Sequence, residues 1–230
     1  MEISEARVLV VGATGALGGA IARALHERGA RLALTGRDPD RLAAVGEELG
    51  APTFELDVVD LERAAERVAE AVEAIGGLDV LVVATGVPAF GPAVEADPAV
   101  TEEVFAVNAL GAAGVVRAAL PHLDGGVAVV LSAILADLPT AGMADYSAAK
   151  AALSAWLTAV RREHRRRARV VDVRPPHLDT ELAAHALAGE PPRMPEPLPA
   201  TDVVDAVLSA IEDDSATDVA WDRTEGLVVR

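Results

Sequence analysis

The chain has 230 residues, of which 51% are hydrophobic and only 3% aromatic, so its length and composition suit one α/β domain with a large buried core. Its net charge is −16, which argues against nucleic acid and anionic membrane surfaces as partners, because both attract basic patches. The absence of cysteine excludes disulfides, thiolate catalysis and Cys-ligated metals, and we predict no metal site.

The N-terminal residues do not predict a signal peptide. Residues 1–5 have neither a basic start nor an apolar run. The longest uncharged stretch, residues 80–94, is interrupted by glycine and proline and is too short to span a bilayer. We therefore expect a cytoplasmic protein with no membrane-spanning segment.

Predicted strands and helices alternate along the whole chain. Short apolar runs that end at glycine or proline predict buried strands, and longer segments with apolar residues at helical spacing predict helices. The predicted strands cover residues 7–11, 31–35, 53–56, 78–84, 127–132 and 169–173, with one more at the C-terminus. The predicted helices cover residues 16–28, 38–50, 60–76, 98–120, 143–167 and 201–212. This alternation predicts an α/β fold, a doubly wound parallel sheet with helices on both faces.

One segment breaks the alternation. Residues 189–199 contain five prolines and lie between two predicted helices. We predict a single domain over residues 1–230, in which residues 181–199 form either a surface loop or a lid over the active site.

The first strand is followed by a glycine-rich turn that opens the first helix. Gly12, Gly15 and Gly18 let the backbone approach a pyrophosphate, and the helix N-terminus offers free N–H groups and a partial positive charge. In this position the turn indicates a Rossmann-like dinucleotide site.

The end of the second strand bears on the choice of cofactor. NAD-binding units usually place a carboxylate here to accept hydrogen bonds from the ribose, but this chain has Gly36 followed by Arg37. A 2′-phosphate could pair with the Arg37 guanidinium, so we predict NADP(H) rather than NAD(H). The alternative is that Arg37 pairs with Asp38 or Asp40 on the surface.

Tyr146 and Lys150 are four residues apart and share one face of a predicted helix. A tyrosine pKa is ordinarily about 10, and a nearby ammonium lowers it, so the pair could act as a general acid/base on a carbonyl or alcohol. Tyr146 is the only tyrosine and Lys150 the only lysine in the chain. The retention of one lysine among many arginines indicates that the position needs an amine.

Taken together, these motifs resemble the short-chain dehydrogenase/reductase family in its compact, single-domain form. The resemblance extends from about Arg7 to Glu212, in the family's order and spacing. The matching features are the glycine turn, Asp57-Val58, Asn108, Ser132 at the end of the fifth strand, Tyr146-Ser147-Ala148-Ala149-Lys150, and Pro175 after the sixth strand.

The resemblance implies a role for each of these residues. Tyr146 would transfer the proton, Lys150 would lower its pKa and bind the nicotinamide ribose, and Asn108 would hold a water that relays protons to Lys150. The implied cofactor-binding residues are Gly12, Thr14, Gly15, Leu17, Gly18, Gly36, Arg37, Asp57, Val58, Ala84, Thr85, Gly86, Tyr146, Lys150, Pro175, Leu178 and Thr180. For Asp57, an ordinary loop aspartate is the alternative to an adenine contact.

The resemblance also implies a small-molecule carbonyl or alcohol substrate and a homodimer or homotetramer. The subunits would pack through the helices 98–120 and 143–167. Small residues on these helices would allow close approach, namely Gly111, Ala112, Ala113, Ala151, Ala152 and Ala155.

The chain departs from the family pattern at the serine that polarises the substrate carbonyl. The usual spacing of thirteen residues before Tyr146 falls on Ala133, and Ser132 is one residue early. A one-residue slip in a strand reverses the side-chain direction. We expect Ser132 to act through a local bulge, with a lid residue or a water as the alternative.

Further departures leave two other functions open. Val83-Ala84-Thr85-Gly86 lacks the polar residues usual after the fourth strand, and together with the displaced serine this is compatible with a non-catalytic NADP-binding regulator or scaffold. The glycine spacing is more usual in longer members of the family, which is compatible with epimerase or dehydratase chemistry, although the short chain counts against that.

Overall fold

A computed structural model describes residues 1–230 and contains one eight-stranded sheet. The strand order is β3-β2-β1-β4-β5-β6-β7-β8, and every neighbouring pair is parallel except β7 and β8. The strands are β1 (Arg7–Val11), β2 (Arg31–Gly36), β3 (Thr53–Glu55), β4 (Val80–Val83), β5 (Val127–Leu131), β6 (Arg169–Arg174), β7 (Asp218–Asp222) and β8 (Gly226–Val229). The predicted doubly wound α/β fold is confirmed.

Helices cover both faces of this sheet. They are α1 (Ala16–Glu27), α2 (Pro39–Leu49), α3 (Leu61–Ile75), α4 (Pro98–Phe105), α5 (Ala112–Ala119), α6 (Ala144–His164) and α7 (Ala200–Glu212). The side chains of Asp38 and Asp60 cap α2 and α3 by accepting hydrogen bonds from backbone N–H groups in the first turn. Both helices end at glycines in the left-handed conformation, Gly50 and Gly76.

The sheet separates two hydrophobic cores of 29 and 28 buried residues. Alternate strand residues point into each core, so Val8 and Val10 of β1 face one side while Leu9 and Val11 face the other. Helices α1, α2 and α7 cover the first face, and α3, α5 and α6 cover the second. Because both faces are covered, the central strands β4 and β5 contain only apolar residues.

The structure differs from the sequence prediction in two places. The helix predicted over residues 98–120 contains a π-helical segment, Ala106–Gly111, between α4 and α5. Such segments are frequent at functional sites, and this one carries Asn108. The single strand predicted at the C-terminus is a hairpin of β7 and β8, whose turn is held by the Asp222 side chain accepting from the Thr224 backbone N–H.

The helical stretch Pro98–His122 is long and apolar enough to cross a membrane by length and composition, and 61% of its most apolar window is buried inside the protein. Its small residues pack within the subunit. A Cβ on Gly111 would lie 2.7 Å from the Val58 carbonyl oxygen, and one on Gly114 would lie 2.6 Å from Leu61. Gly111, Ala112 and Ala113 are buried, which corrects the expectation that they lie between subunits.

Candidate active site

The glycine turn is built so that its backbone lies against the end of β4. Gly12 has a φ of +90°, and a Cβ there would lie 2.8 Å from the Ala84 carbonyl oxygen. A Cβ on Gly18 would lie 2.2 Å from the Gly12 carbonyl oxygen, so only glycine fits. Helix α1 begins after Gly15 with no side-chain cap and no acidic residue in its first turn. Its N-terminal N–H groups therefore suit an anionic ligand.

Two hydroxyl groups near this turn have no hydrogen-bond partner in the protein. The buried Oγ1 atoms of Thr35, at the end of β2, and of Thr85, after β4, are both unpaired. The Thr85 side chain lies against the Gly12 turn, since its Cγ2 is 3.2 Å from where a Gly12 Cβ would be. Thr35 is fully buried, whereas Thr85 is partly exposed, and buried polar groups are nearly always paired, so the unpaired Thr85 hydroxyl is the one that fits a polar ligand bound along the turn.

Arg37 is exposed and makes no hydrogen bond or ion pair within the chain. Asp38, the surface partner considered for it, instead caps α2. Nearby, Arg41 donates to the Thr14 carbonyl oxygen in the glycine turn at 2.7 Å. A Cβ on Gly36 would lie 2.6 Å from the Thr14 side chain. The predicted Gly36 and Arg37 thus lie beside the turn, and Arg41 is a cation there that the sequence motifs did not single out.

The other predicted cofactor residues lie along the same edge of the sheet. Asp57 is exposed, and its Oδ1 accepts from the Val59 N–H at 3.2 Å, while Val58 is buried. The Pro175 carbonyl oxygen accepts from Ile134 N–H at 2.9 Å. Leu178 and Thr180 line a cleft of about 540 Å³ between the segment after β6 and residues 191–197.

Tyr146 lies on α6 and is 6% exposed, in a third hydrophobic cluster separate from the two main cores. The other buried members of that cluster are Phe90, Val104, Ala109, Met143 and Ala149. Ala183, Ala186, Leu187 and Met194 pack against it. Burial raises the pKa of Tyr146 to about 12, because the apolar surroundings disfavour the phenolate. The phenol is therefore protonated throughout the neutral pH range.

Lys150 is 2% exposed, and its Nζ donates to the Leu131 carbonyl oxygen at 3.1 Å and to that of Thr85 at 3.3 Å. The Nζ lies 5.9 Å from the centroid of the Tyr146 ring. Burial lowers the pKa of Lys150 to about 8, against an opposing attraction from Asp172. The expectation that Lys150 lowers the pKa of Tyr146 is not met here, because burial dominates and the ammonium is directed at carbonyl oxygens.

Asn108 is fully buried in the π-helical segment. Its Nδ2 donates to the carbonyl oxygens of Val87 and Val104, each at 2.8 Å, and its Oδ1 accepts from the Val87 N–H at 3.2 Å. A Cβ on Gly86 would lie 3.0 Å from Asn108 Oδ1 and 3.2 Å from Lys150 Nζ. The structure thus brings Gly86, Asn108 and Lys150 together from three separate elements.

Ser132 follows β5, and its side chain is not directed as its predicted role in polarising a substrate carbonyl requires. The β5–β6 register continues regularly through Leu131 and Val173, and Ser132 N–H donates to the Val173 carbonyl oxygen at 2.8 Å, so no bulge re-aims the side chain. Its Oγ donates to Oδ1 of the buried Asp172. A hydroxyl has one proton, and this one is directed at a carboxylate rather than at a substrate carbonyl.

The segment predicted as a loop or lid, residues 181–199, is hydrogen-bonded to the rest of the chain near its middle and near its C-terminal end. Leu187 N–H donates to the Pro88 carbonyl oxygen, and Phe90 N–H donates to that of Ala188, both at 2.9 Å. Near its C-terminal end, Leu198 pairs with Leu178 in an isolated parallel bridge. Leu187 and Met194 of this segment pack on the cluster that contains Tyr146, which places the segment over the candidate site.

Comparisons with known proteins agree with this geometry. Residues 6–191 match the family model described as short chain dehydrogenase. The chain is 28% identical over 203 residues to the dehydrogenase/reductase SDR family member 7B of Bos taurus. That match covers 82% of this chain but only 62% of the relative, so the chain spans less than two thirds of the relative's length.

Solved structures are similar over nearly the whole chain. An alcohol dehydrogenase from Thermococcus sibiricus, complexed with 5-hydroxy-NADP, superimposes with a TM-score of 0.83 at 28% identity, covering 93% of this chain and 94% of that one. A short chain dehydrogenase from Burkholderia cenocepacia, in complex with NADP, has a TM-score of 0.82 at 30% identity, covering 95% and 88%.

Proposed function

Because the chain belongs to the short-chain dehydrogenase family, we propose that it is an NADP(H)-dependent oxidoreductase acting on a carbonyl/alcohol pair, with Tyr146 as the general acid/base. The observation that carries this proposal is the convergence of the only tyrosine and the only lysine of the chain at one buried site, beside Asn108 and Gly86.

The protonation state of Tyr146 favours reduction of a carbonyl over oxidation of an alcohol. NADPH, when bound, supplies the hydride. A substrate oxygen that gains negative charge needs a proton, and a phenol with a pKa near 12 holds one at neutral pH. Alcohol oxidation would need the phenolate, which the apolar surroundings disfavour. Lys150, with a pKa of about 8, is mostly cationic at pH 7 and supports the charge that develops on the phenolic oxygen.

NADP(H) is the cofactor that the nucleotide end supports best. No carboxylate follows β2 at the ribose position, and the exposed Arg37 follows Gly36, which lies against Thr14 of the glycine turn. Arg41, held on the Thr14 carbonyl oxygen, adds a second cation at the same place. Guanidinium groups suit a phosphate through bidentate, charge-assisted hydrogen bonds. The neighbours complexed with NADP support the same choice.

The substrate that fits best is a small or medium apolar carbonyl compound. Phe90, Met143, Leu187 and Met194 surround Tyr146, together with several alanines. Ser132 gives no free donor, so Tyr146 itself would polarise the carbonyl as well as protonate it.

The direct test is NADPH consumption across a panel of apolar aldehydes and ketones, in the wild-type protein and in Tyr146→Phe. Turnover that depends on Tyr146 supports the proposal. The alternative is a non-catalytic NADP-binding regulator or scaffold. Tight NADPH binding with no Tyr146-dependent turnover on any carbonyl would favour that alternative.

We also propose that the protein is a homodimer or homotetramer. Ala152, Ala155 and Ala159 form an exposed stripe of small residues on α6, and Leu110 of the π-helical segment is 62% exposed. Small residues allow helices to approach closely, and an exposed leucine gains from burial. Light scattering should give a multiple of 23.7 kDa, and Ala155→Arg should lower it. A monomeric wild-type protein would contradict this proposal.

A further inference from the structure

The buried carboxylate of Asp172, on β6, has no part in the function proposed above. Asp172 is fully buried, and an isolated carboxylate is costly to remove from water. Three groups compensate it. Ser132 Oγ donates to Oδ1, and Oδ2 accepts from Ser154 Oγ at 2.5 Å and from Arg174 Nη1 at 2.7 Å. The network thus joins β5, β6 and α6.

The same face of α6 carries Tyr146, Lys150 and Ser154 at intervals of four residues. Ser154 contacts Asp172 directly. Lys150 reaches the carbonyl oxygen of Leu131, the residue before Ser132, whose hydroxyl also contacts Asp172. Asp172 therefore contacts the residue one turn after Lys150 on α6 and the residue next to the one that Lys150 binds on β5.

The charges in this network leave one negative charge in excess. Arg174 contacts the carboxylates of Asp172, Asp218 and Asp137, and Arg161 also contacts Asp218. Three carboxylates thus face two guanidinium groups. Lys150 is a further buried cation that the charge of Asp172 attracts, although it makes no ion pair.

We propose that Asp172 is a positioning residue that keeps Lys150 protonated, and through it supports the acid/base work of Tyr146. This inference rests on the proposed function, because it assigns Asp172 a role in that site. Burial alone favours neutral Lys150, and the attraction of Asp172 raises its pKa in opposition. The hydrogen bond from Ser132 to Asp172 also explains why the Ser132 hydroxyl is not free for the substrate.

No other charged side chain competes for this role. Tyr146 precedes Lys150 on α6 and is a neutral phenol at neutral pH. The segment after β4 and the end of β5 offer only the carbonyl oxygens of Thr85 and Leu131. The π-helical segment offers the neutral Asn108, and Arg174 lies behind Asp172.

The test uses the fact that Lys150 is the only lysine. Protein labelled with lysine that carries 13C at Cε gives one side-chain resonance, whose pH titration measures the pKa of Lys150 without any substrate. In Asp172→Asn, we expect the titration midpoint to move to lower pH by about one pH unit or more. In Ser154→Ala, which removes one hydrogen bond but keeps the carboxylate, the midpoint should stay within about 0.3 pH unit, since the charge is unchanged.

Arg174→Gln provides an independent arm with the opposite sign. Removing this guanidinium leaves the Asp172 charge less compensated, so the Lys150 midpoint should move to higher pH. If Asp172→Asn does not fold, the shift of the Lys150 midpoint in Arg174→Gln tests the proposal by itself. An unchanged midpoint in folded Asp172→Asn, or a downward shift in Arg174→Gln, would overturn the proposal and indicate a purely structural network.

Activity measurements keep this inference separate from the proposed function. A wild-type protein that turns over no carbonyl, yet shows the expected Lys150 shifts, would contradict the function and leave the electrostatic role of Asp172 intact. If turnover depends on Tyr146 but the Lys150 midpoint is the same in Asp172→Asn as in the wild type, the proposed function stands and the role of Asp172 is contradicted. If both hold, the alkaline limb of kcat/KM should move to lower pH in Asp172→Asn along with the Lys150 midpoint.

Discussion

The two ends of the candidate site are built in opposite ways. The nucleotide end is open and relies on backbone groups, an uncapped helix N-terminus and the exposed Arg37. The chemical end is closed, with Tyr146 and Lys150 buried under a segment that is hydrogen-bonded to residues 88–90. The difference teaches that the open end offers exposed charge and free donors to a ligand, whereas burial at the closed end shifts the pKa values of Tyr146 and Lys150 in directions that the residue types alone do not predict.

The largest effect should come from removing the phenolic hydroxyl at the closed end. Tyr146→Phe keeps the ring in its apolar cluster but removes the proton donor, so kcat should fall by about 10²- to 10⁴-fold. NADPH affinity, measured by fluorescence titration, should change far less than kcat, because the glycine turn and Arg37 are untouched. A fall in affinity equal to the fall in kcat would show that the two ends are not independent.

Burial of Lys150 should also be visible in stability. Its pKa is lowered from 10.5 to about 8, so between these values the unfolded chain holds more protons than the folded one, and stability rises with pH. Below pH 8 the burial costs about 3 kcal/mol. Urea unfolding at pH 7 to 10.5 should show wild-type stability gaining about 3 kcal/mol relative to Lys150→Met.

The comparison with Lys150→Met cancels the effect of Tyr146, whose raised pKa lowers stability above pH 10 in both proteins. Parallel stability curves for the two proteins would mean that Lys150 is not desolvated in solution and that the chemical end is open there.

The features that were predictable from the sequence depend on residues close together in the chain. The glycine turn between β1 and α1 is local, as is the spacing of Tyr146 and Lys150 on one helix. The alternation of apolar strands and amphipathic helices gave the layers of the fold. Gly36 and Arg37 were found because the end of β2 has a known place relative to the turn.

The remaining features depend on contacts between distant parts of the chain. Asp172 reaches Ser132 only through the β5–β6 register, across 40 residues, and Arg41 reaches the Thr14 carbonyl oxygen across 27. The raised pKa of Tyr146 depends on burial under a cluster to which the chain contributes Phe90 and Met194 as well as α6. No local sequence pattern predicts such surroundings, so the sequence predicted the pairing of Tyr146 with Lys150 but not the burial that sets their pKa values.

A smaller effect is expected at the open end. Arg37→Ala should weaken NADPH binding about tenfold, or roughly 1.4 kcal/mol, and leave NADH binding unchanged, because only NADPH carries the 2′-phosphate. Arg223→Ala is the matched control, since Arg223 is equally exposed but lies in the β7–β8 turn. The effect should shrink at high salt, as exposed charge pairs are screened. Equal losses for NADH and NADPH would remove the basis for NADP(H) preference.

The smallest effect should come from Ser132→Ala, and it tests the closed end most directly. The Ser132 hydroxyl donates its proton to Asp172, so its loss takes nothing from a substrate carbonyl. Asp172 keeps Ser154 and Arg174 as partners. We expect kcat to fall by less than about threefold, or roughly 0.7 kcal/mol in activation free energy, measured beside Tyr146→Phe with the same carbonyl. A loss of a hundredfold would mean that Ser132 turns from Asp172 to the substrate during catalysis, since no bulge in β5 re-aims it in the free protein.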